Sequence, residues 1–302
     1  MHLTNTLKNG KFVTSQFTTF TIQQALSCLF PVVIFSVLVF TKFIAVPFIH
    51  RYDFILLICL LMQFIMYKSG LETKDELKVI TVFHLIGLGL ELYKVHVGSW
   101  AYPGEALAKI GGVPLYSGFM YASVASYICQ AWRRFELQLI NWPKIHLSMP
   151  LCIAIYCNFF LHHYIMDLRW ILIILLFPIF YRASVRFTIN NRVYRMPMIL
   201  SYLLIGFFIW IAENISTFLG AWRYPEQAAA WHMVHMGKIS SWFLLVIISI
   251  IIVAQLKIVK EKIVGTDQSL EDLRCGVNNK KPFRHGLTRI GTDLNNQASL
   301  KI

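Results

Sequence analysis

"ELYKVHVGSWAYP", residues 91–103, and "ENISTFLGAWRYP", residues 213–225, share one frame. In each, a glutamate is followed seven residues later by glycine, then by a small residue, tryptophan, any residue, tyrosine and proline. Both acids stand inside long apolar runs. A charged side chain at mid-membrane costs about 3 kcal/mol even on lenient insertion scales, and less toward the interface. A glutamate placed twice in oil, at one distance from one kind of aromatic loop, governs how the rest of the chain is read.

That rest is apolar. Hydrophobic residues make up 57 % of the 302 and charged residues 14 %, against about 25 % charged in soluble domains. No aqueous fold of this size hides so much apolar surface, so the composition predicts a polytopic membrane protein. The formal net charge of +13 does not point to nucleic acid. Its Lys and Arg residues lie in short loops between apolar runs and in the C-terminal tail, which is the pattern of membrane orientation. The six cysteines show no C-x-x-C and no framework of spacings, so free thiols are expected. The first 25 residues are polar and mixed, without the basic, apolar, small-residue order of a cleaved signal.

A helix needs about 20 apolar residues to cross the bilayer core. Windows of that kind fall at 26–46, 52–67, 77–97, 113–132, 148–166, 168–183, 198–219 and 239–256, the second and sixth being short. The fold expected is all-α, a transmembrane bundle of eight spans. Placing both termini in the cytoplasm collects Lys68, Lys74, Lys78, Arg133, Arg134, Lys144, Arg182, Arg186, Arg192 and Arg195 on the inner side. The glutamate motifs then end the third and seventh spans, on the outer side. This predicts two parallel four-helix repeats, about 26–132 and 148–256. Residues 1–25 form a cytoplasmic N-terminal segment, and 257–302 a basic, disordered cytoplasmic tail suited to anionic headgroups.

Each glutamate lies about 10 Å below the outer end of its helix at 1.5 Å per residue, and must face the interior, be paired or stay protonated. His84 is two turns from Glu91 and shares its face. Lys94, three residues on, is within side-chain reach, whereas His96 is about 140° around the helix. Gly206 and Ser216 hold the positions matching His84 and Lys94, and Asn214 adds an amide beside Glu213. Two readings stay open: a locking pair of Glu91 with Lys94 and of both acids with opposite aromatics, or a reactive constellation. The candidate catalytic residues are Glu91, Glu213, His84 and Lys94. The candidate ligand-binding residues are Trp100, Tyr102, Tyr116, Tyr121, Asn214, Trp222 and Tyr224, although interfacial aromatics are ordinarily anchors. Small residues in "GGVPLYSGFMYASVASY", residues 111–127, suit close helix packing. His162, His163, His232 and His235 are a weaker alternative as metal ligands, His-x-x-His on a helix putting two imidazoles roughly on one face. With no Walker loop, GxGxxG, GxSxG or HExxH, no cofactor and no metal are expected.

The strings "HLIGLGLELYKVHVGSWAYP", "GGVPLYSGFMYASVASYI" and "GAWRYPEQ…GKISSWFLL" resemble the uncharacterised bacterial YoaT-like membrane proteins, domain of unknown function 817, over roughly residues 25–256. That resemblance implies a bacterial cytoplasmic-membrane protein and names no reaction. A shorter likeness runs from Glu91 through Gly98, Trp100 and Tyr102 to Gly112-Val113-Pro114. It is similar to the carotenoid-hydratase and membrane lycopene-cyclase group, without the paired acidic motifs of the cyclases. It implies acid catalysis on isoprenoid chains within the bilayer. The expected function is a membrane-embedded enzyme or binder of a lipid-soluble, isoprenoid-like ligand, with Glu91 as acid or base and Glu213 stabilising positive charge. The alternatives are a proton-coupled small-molecule transporter and a non-catalytic scaffold. Membrane lipids and a hydrophobic small molecule are the expected partners, nucleic acid is not, and nothing sets an oligomeric state.

Overall fold

The computed structural model describes residues 2–161 and 164–254, with side chains from residue 13 onward. The predicted tail and the histidine pair His162 and His163 lie outside the described residues. Among the described residues the chain is mainly helical: α1 (His2–Ser27), α2 (Leu29–Phe43), α3 (Arg51–Lys68), α4 (Lys74–His96), α5 (Ser117–Arg134), α6 (Ile145–Leu161), α7 (Arg169–Phe180), α8 (Met198–Phe218) and α9 (Lys238–Ala254). A helix stands in every window predicted to span the membrane.

The count of eight spans is nevertheless corrected. Among the described residues, only α4 and α8 are by length and composition long and apolar enough to cross a membrane on their own, with a third if α1 and α2, bent by 67°, form one broken span. Helix α7 has 12 residues, about 18 Å of rise against a hydrocarbon core of about 30 Å. Helix α3 is long enough but carries Arg51, Asp53 and Lys68 at its ends. Helix α5 finishes on Arg133 and Arg134 and is rich in serine. Length excludes α7, and charged or polar residues exclude α3 and α5.

The exterior of these helices is still apolar. In α7, Leu172, Leu176 and Phe180 are buried at helical spacing, while Trp170 and Ile174 on other faces are 65 % and 69 % exposed. A helix apolar all round suits either a deep core or a lipid surface, and α7 has only one side in a core.

The all-α expectation is also corrected, by two small antiparallel sheets. Strands β1 (Lys109–Ile110) and β2 (Val113–Pro114) form a hairpin. Gly111 and Gly112 turn it with φ of +54° and +82°, a pair of left-handed residues that glycine adopts without steric penalty. Helix α5 therefore starts at Ser117 and not at Val113. Strands β3 (Gln138–Ile140), β4 (Ser184–Ile189) and β5 (Arg192–Pro197) build a three-stranded sheet in that order. Its register puts Gln138 opposite Arg186 and Ile189 opposite Arg192, with Asn190 and Asn191 at the β4–β5 turn. The two arginine-bearing loops read as separate are one structure.

Close approaches fix the bundle. Helix α4 opens on a capping box in which Glu76 N–H donates to Thr73 Oγ1 (3.3 Å) and Thr73 N–H to Glu76 Oε2 (2.9 Å). Helix α4 packs along α5, where Gly87 lies against the Tyr121 ring and Gly118 leaves room for His84. Gly206 of α8 meets α9 at the Phe243 backbone, 2.9 Å from where a Cβ would sit. Arg51, at the start of α3, reaches two other helices. It donates to Leu38 O (3.3 Å) and Thr41 Oγ1 (3.1 Å) of α2, and to Leu219 O (2.7 Å) and Gly220 O (3.1 Å) at the end of α8.

Candidate functional site

The shared frame of the two motifs is a helix ending. After α4, Ser99 N–H donates to Lys94 O (2.8 Å) and Gly98 N–H to Val95 O (3.0 Å), with Gly98 at φ +73°. After α8, Ala221 N–H donates to Ser216 O (2.9 Å) and Gly220 N–H to Thr217 O (3.0 Å), with Gly220 at φ +74°. Both are Schellman endings, in which a left-handed residue lets the chain reverse over the last turn. The reversal explains the spacing, because it carries the aromatics back to the glutamate two turns below.

Glu91 is buried and accepts three hydrogen bonds. Trp100 Nε1 (2.6 Å) and Tyr102 Oη (2.7 Å) donate to Oε2, and Tyr121 Oη of α5 (2.8 Å) donates to Oε1. Glu213, equally buried, takes the Tyr224 hydroxyl on Oε1 and Trp242 Nε1 of α9 on Oε2 (2.6 Å). Each acid is thus held by the tyrosine eleven residues later and by an aromatic donor from a following helix. Burial, the adjoining Glu91 carboxyl, the Tyr116 hydroxyl and the hydrogen bond to Glu91 push the Tyr102 phenol well above its ordinary range, so it stays an O–H donor. Tyr224 does the same, driven up by burial and then by Glu213.

The two loops join at matching positions. Ala101 N–H donates to Arg223 O and Arg223 N–H to Ala101 O, both at 2.9 Å. Ala101 follows Glu91 by ten residues and Arg223 follows Glu213 by ten. The Trp100 ring meets the Tyr224 ring edge-on at 5.9 Å, a contact between the two motifs.

Beside this junction lies a cavity of about 290 Å³. Glu213, Trp100, Tyr121, Tyr224 and Lys94 line it, as do Trp242, Lys238 and Arg169 from α9 and α7. Glu91 does not line it and stands behind Tyr121. At the cavity wall Asp167 accepts from Arg169 Nε (2.7 Å), Arg169 N–H (3.0 Å) and Asn158 Nδ2 (3.1 Å). Burial works against the Asp167 anion, but the Asn158 and Arg169 hydrogen bonds and the Arg169 charge outweigh it and hold the carboxyl below its ordinary range.

Other predicted site residues go elsewhere. Lys94 does not turn back on Glu91: its Nζ donates to Phe159 O at 2.8 Å and lies 4.3 Å from the Phe159 ring centre. His84 packs on Phe119, with ring centres 4.4 Å apart, and does not bond Glu91. Tyr116 donates to Ala221 O (2.7 Å), tying α5's start to the second motif. Asn214 bonds Trp210 O (2.8 Å) and accepts from Val234 N–H (2.8 Å), which pins the segment before α9. Trp222 is buried in the core outside the cavity. His232 and His235 are not on a helix, so the one-face geometry expected of them is corrected; His235 Nδ1 accepts Gly237 N–H (3.0 Å). Among the described residues no three of His, Cys, Asp and Glu gather as a metal site.

Two features escaped the sequence. Trp242 follows Glu213 by 29 residues and Tyr121 follows Glu91 by 30, so extending the comparison of the motifs one helix further would have found it. Glu72, in the loop before α4, is a further buried acid, close to the buried Glu76. It accepts from Ser126 Oγ at 2.5 Å and from Gln63 Nε2, and a neighbouring Arg133–Glu76 ion pair (3.3 Å) closes the same end of α4. The capping box conceals it, because an acid beside a helix start reads as a cap.

Residues 16–250 match the family described as a protein of unknown function, DUF817. The chain is 62 % identical over 240 residues to the uncharacterized protein YoaT of Bacillus subtilis (strain 168), a match covering 80 % of this chain and 91 % of that one. No solved structure matches. With that match running from α1 into α9 and containing both glutamate motifs, the chain belongs to the DUF817 family.

Proposed function

We propose that this chain is an integral protein of the bacterial cytoplasmic membrane that binds a small lipid-soluble molecule in the cavity at the junction of two related halves. The observation that carries this reading is the cavity itself: Trp100 of the first motif, Glu213 and Tyr224 of the second, and Tyr121 and Trp242 from the helices that follow them line one space of about 290 Å³. Small-molecule sites are typically concave and mostly apolar, with a few placed polar groups. Glu213 is the acid in contact with the ligand, and its two donors, Tyr224 and Trp242, set the direction of its oxygens. Glu91 acts from behind as a positioning residue, fixing Tyr121 and Trp100, which do face the space.

The matched helix endings, matched tyrosines and the Ala101–Arg223 bridge support reading the halves as a parallel repeat. The bias of Lys and Arg and the sheet that gathers the arginine-bearing loops support placing those loops, with the N-terminus, on the cytoplasmic side.

The test is extraction of the protein purified from its own membranes, followed by mass spectrometry of the organic phase. Wild type should carry a stoichiometric hydrophobic molecule that Glu213→Gln loses and Tyr116→Phe, outside the cavity, retains. Wild type that purifies folded and empty in every detergent tried, and takes up no molecule from a total lipid extract, would overturn the reading.

A further inference from the structure

Three cationic side chains enter the cavity from three elements: Lys94 near the end of α4, Arg169 at the start of α7 and Lys238 at the start of α9. Arg169 is engaged by Asp167 and Lys94 by Phe159 O. Lys238 is different. Its Nζ lies 4.6 Å from the centre of the Tyr224 ring and 5.9 Å from that of Trp100. The ion pairs among the described residues are Lys78–Asp75, Arg133–Glu76 and Arg169–Asp167, so no carboxylate is within pairing distance of Lys238. Two acids share the wall. Glu213 has both oxygens occupied by donors, and Glu226 is exposed. Aromatic faces hold an ammonium electrostatically but do not neutralise it. Asp167 offsets Arg169, and a further anion in the cavity would meet the ammonium of Lys238 directly, with the cations of α4 and α7 beside it. Ile155, Phe159, Leu244, Leu245 and Trp242 give the wall an apolar stretch, beside the polar Ser99, Asn158 and Ser241.

We infer that the cavity's ligand is a lipophilic anion, its phosphate or carboxylate head held by Lys238 with Lys94 and Arg169 nearby, and its tail against Phe159, Leu244 and Leu245. This rests on the ligand-binding reading above and adds the charge. The volume is at the small end of ligand pockets, about 300–1,000 Å³, which suits a head and the first part of a chain.

The full-length protein in phosphatidylcholine nanodiscs is titrated with dodecyl phosphate, dodecanol and inorganic phosphate, with tryptophan quenching as readout, since Trp100 and Trp242 line the space. Dodecyl phosphate is expected to bind at least tenfold tighter than dodecanol, with inorganic phosphate not binding over the same range. Lys238→Met should abolish the preference and Lys238→Arg should keep it. Equal binding of the phosphate and the alcohol overturns the charge and leaves the ligand-binding reading in place. Inorganic phosphate binding as tightly as dodecyl phosphate makes this a free-anion site and overturns the lipophile. A full preference in folded Lys238→Met protein overturns the assignment to Lys238, and no binding of either amphiphile to wild type removes both readings.

Discussion

Trp100 and Trp242 can only donate, and each points its N–H at one oxygen of a buried carboxyl. A glutamine at position 91 can keep its carbonyl oxygen toward Trp100 and Tyr102 and turn its amide toward the Tyr121 hydroxyl, which is able to accept. Glu91→Gln is therefore expected to stay within about 1 kcal/mol of wild-type stability, whereas Glu91→Ala strands three donors and should lose about 3 kcal/mol or more. Thermal unfolding in one detergent compares them, and a glutamine variant as unstable as the alanine would refute this donor arrangement. Glu72 gives a pH signature. Burial, opposed by the bonds from Ser126 and Gln63, raises its pKa above the usual 4.5. A carboxyl raised on folding contributes stability that is complete below its unfolded pKa and lost as pH climbs through the folded value. The unfolding midpoint should fall over that rise, and Glu72→Gln should flatten the fall.

Two glycines give opposite predictions at the level of helices. A Cβ at Gly206 would lie 2.9 Å from the Phe243 backbone nitrogen, so Gly206→Ala must push α8 off α9 and should cost about 1–3 kcal/mol. Gly89 in α4 meets nothing within 4 Å, and Gly89→Ala should stabilise by about 0.5–1 kcal/mol through helix propensity alone. Denaturation midpoints of the pair test whether α8–α9 contact is backbone-close. Helices were legible because hydropathy is local to each window. Strands β4 and β5 were not, because "SVRFTI" and "RVYRMP" alternate around arginines and resemble a basic loop. Their readable signal was Asn190-Asn191, a residue pair suited to a left-handed hairpin turn. The membrane count failed for a different reason, since a run of apolar letters does not mark where a helix begins and ends: α7 stops at 12 residues, and α3 and α5 take charged residues into their own ends.

For the whole molecule, the bridge between the motifs makes a direct prediction. Antiparallel partners that exchange both hydrogen bonds sit about 5.5 Å apart at Cα, within disulfide range. Ala101→Cys with Arg223→Cys should cross-link within one chain under mild oxidation, seen as a gel shift reversed by reductant. The β3–β4–β5 sheet likewise requires cysteines placed at Asn141 and Asn191 to react with an impermeant maleimide from one side of the membrane only, and labelling from opposite sides would break the sheet. The acids' shared frame was readable because sequence spacing is preserved in a helix ending. The separation of His84 from Glu91 was not, because it depends on which neighbour covers each turn, and Gly118 and Phe119 of α5 cover His84. Arg51 carries a last consequence. One guanidinium holds α2 and the end of α8 from the first residue of α3, so amide protons near those ends should exchange as one cooperative unit. A lysine has no planar fork with which to reach both. Under Arg51→Lys, the amides of α2 should trade hydrogen for deuterium faster than those of α8, dividing a single opening event into two.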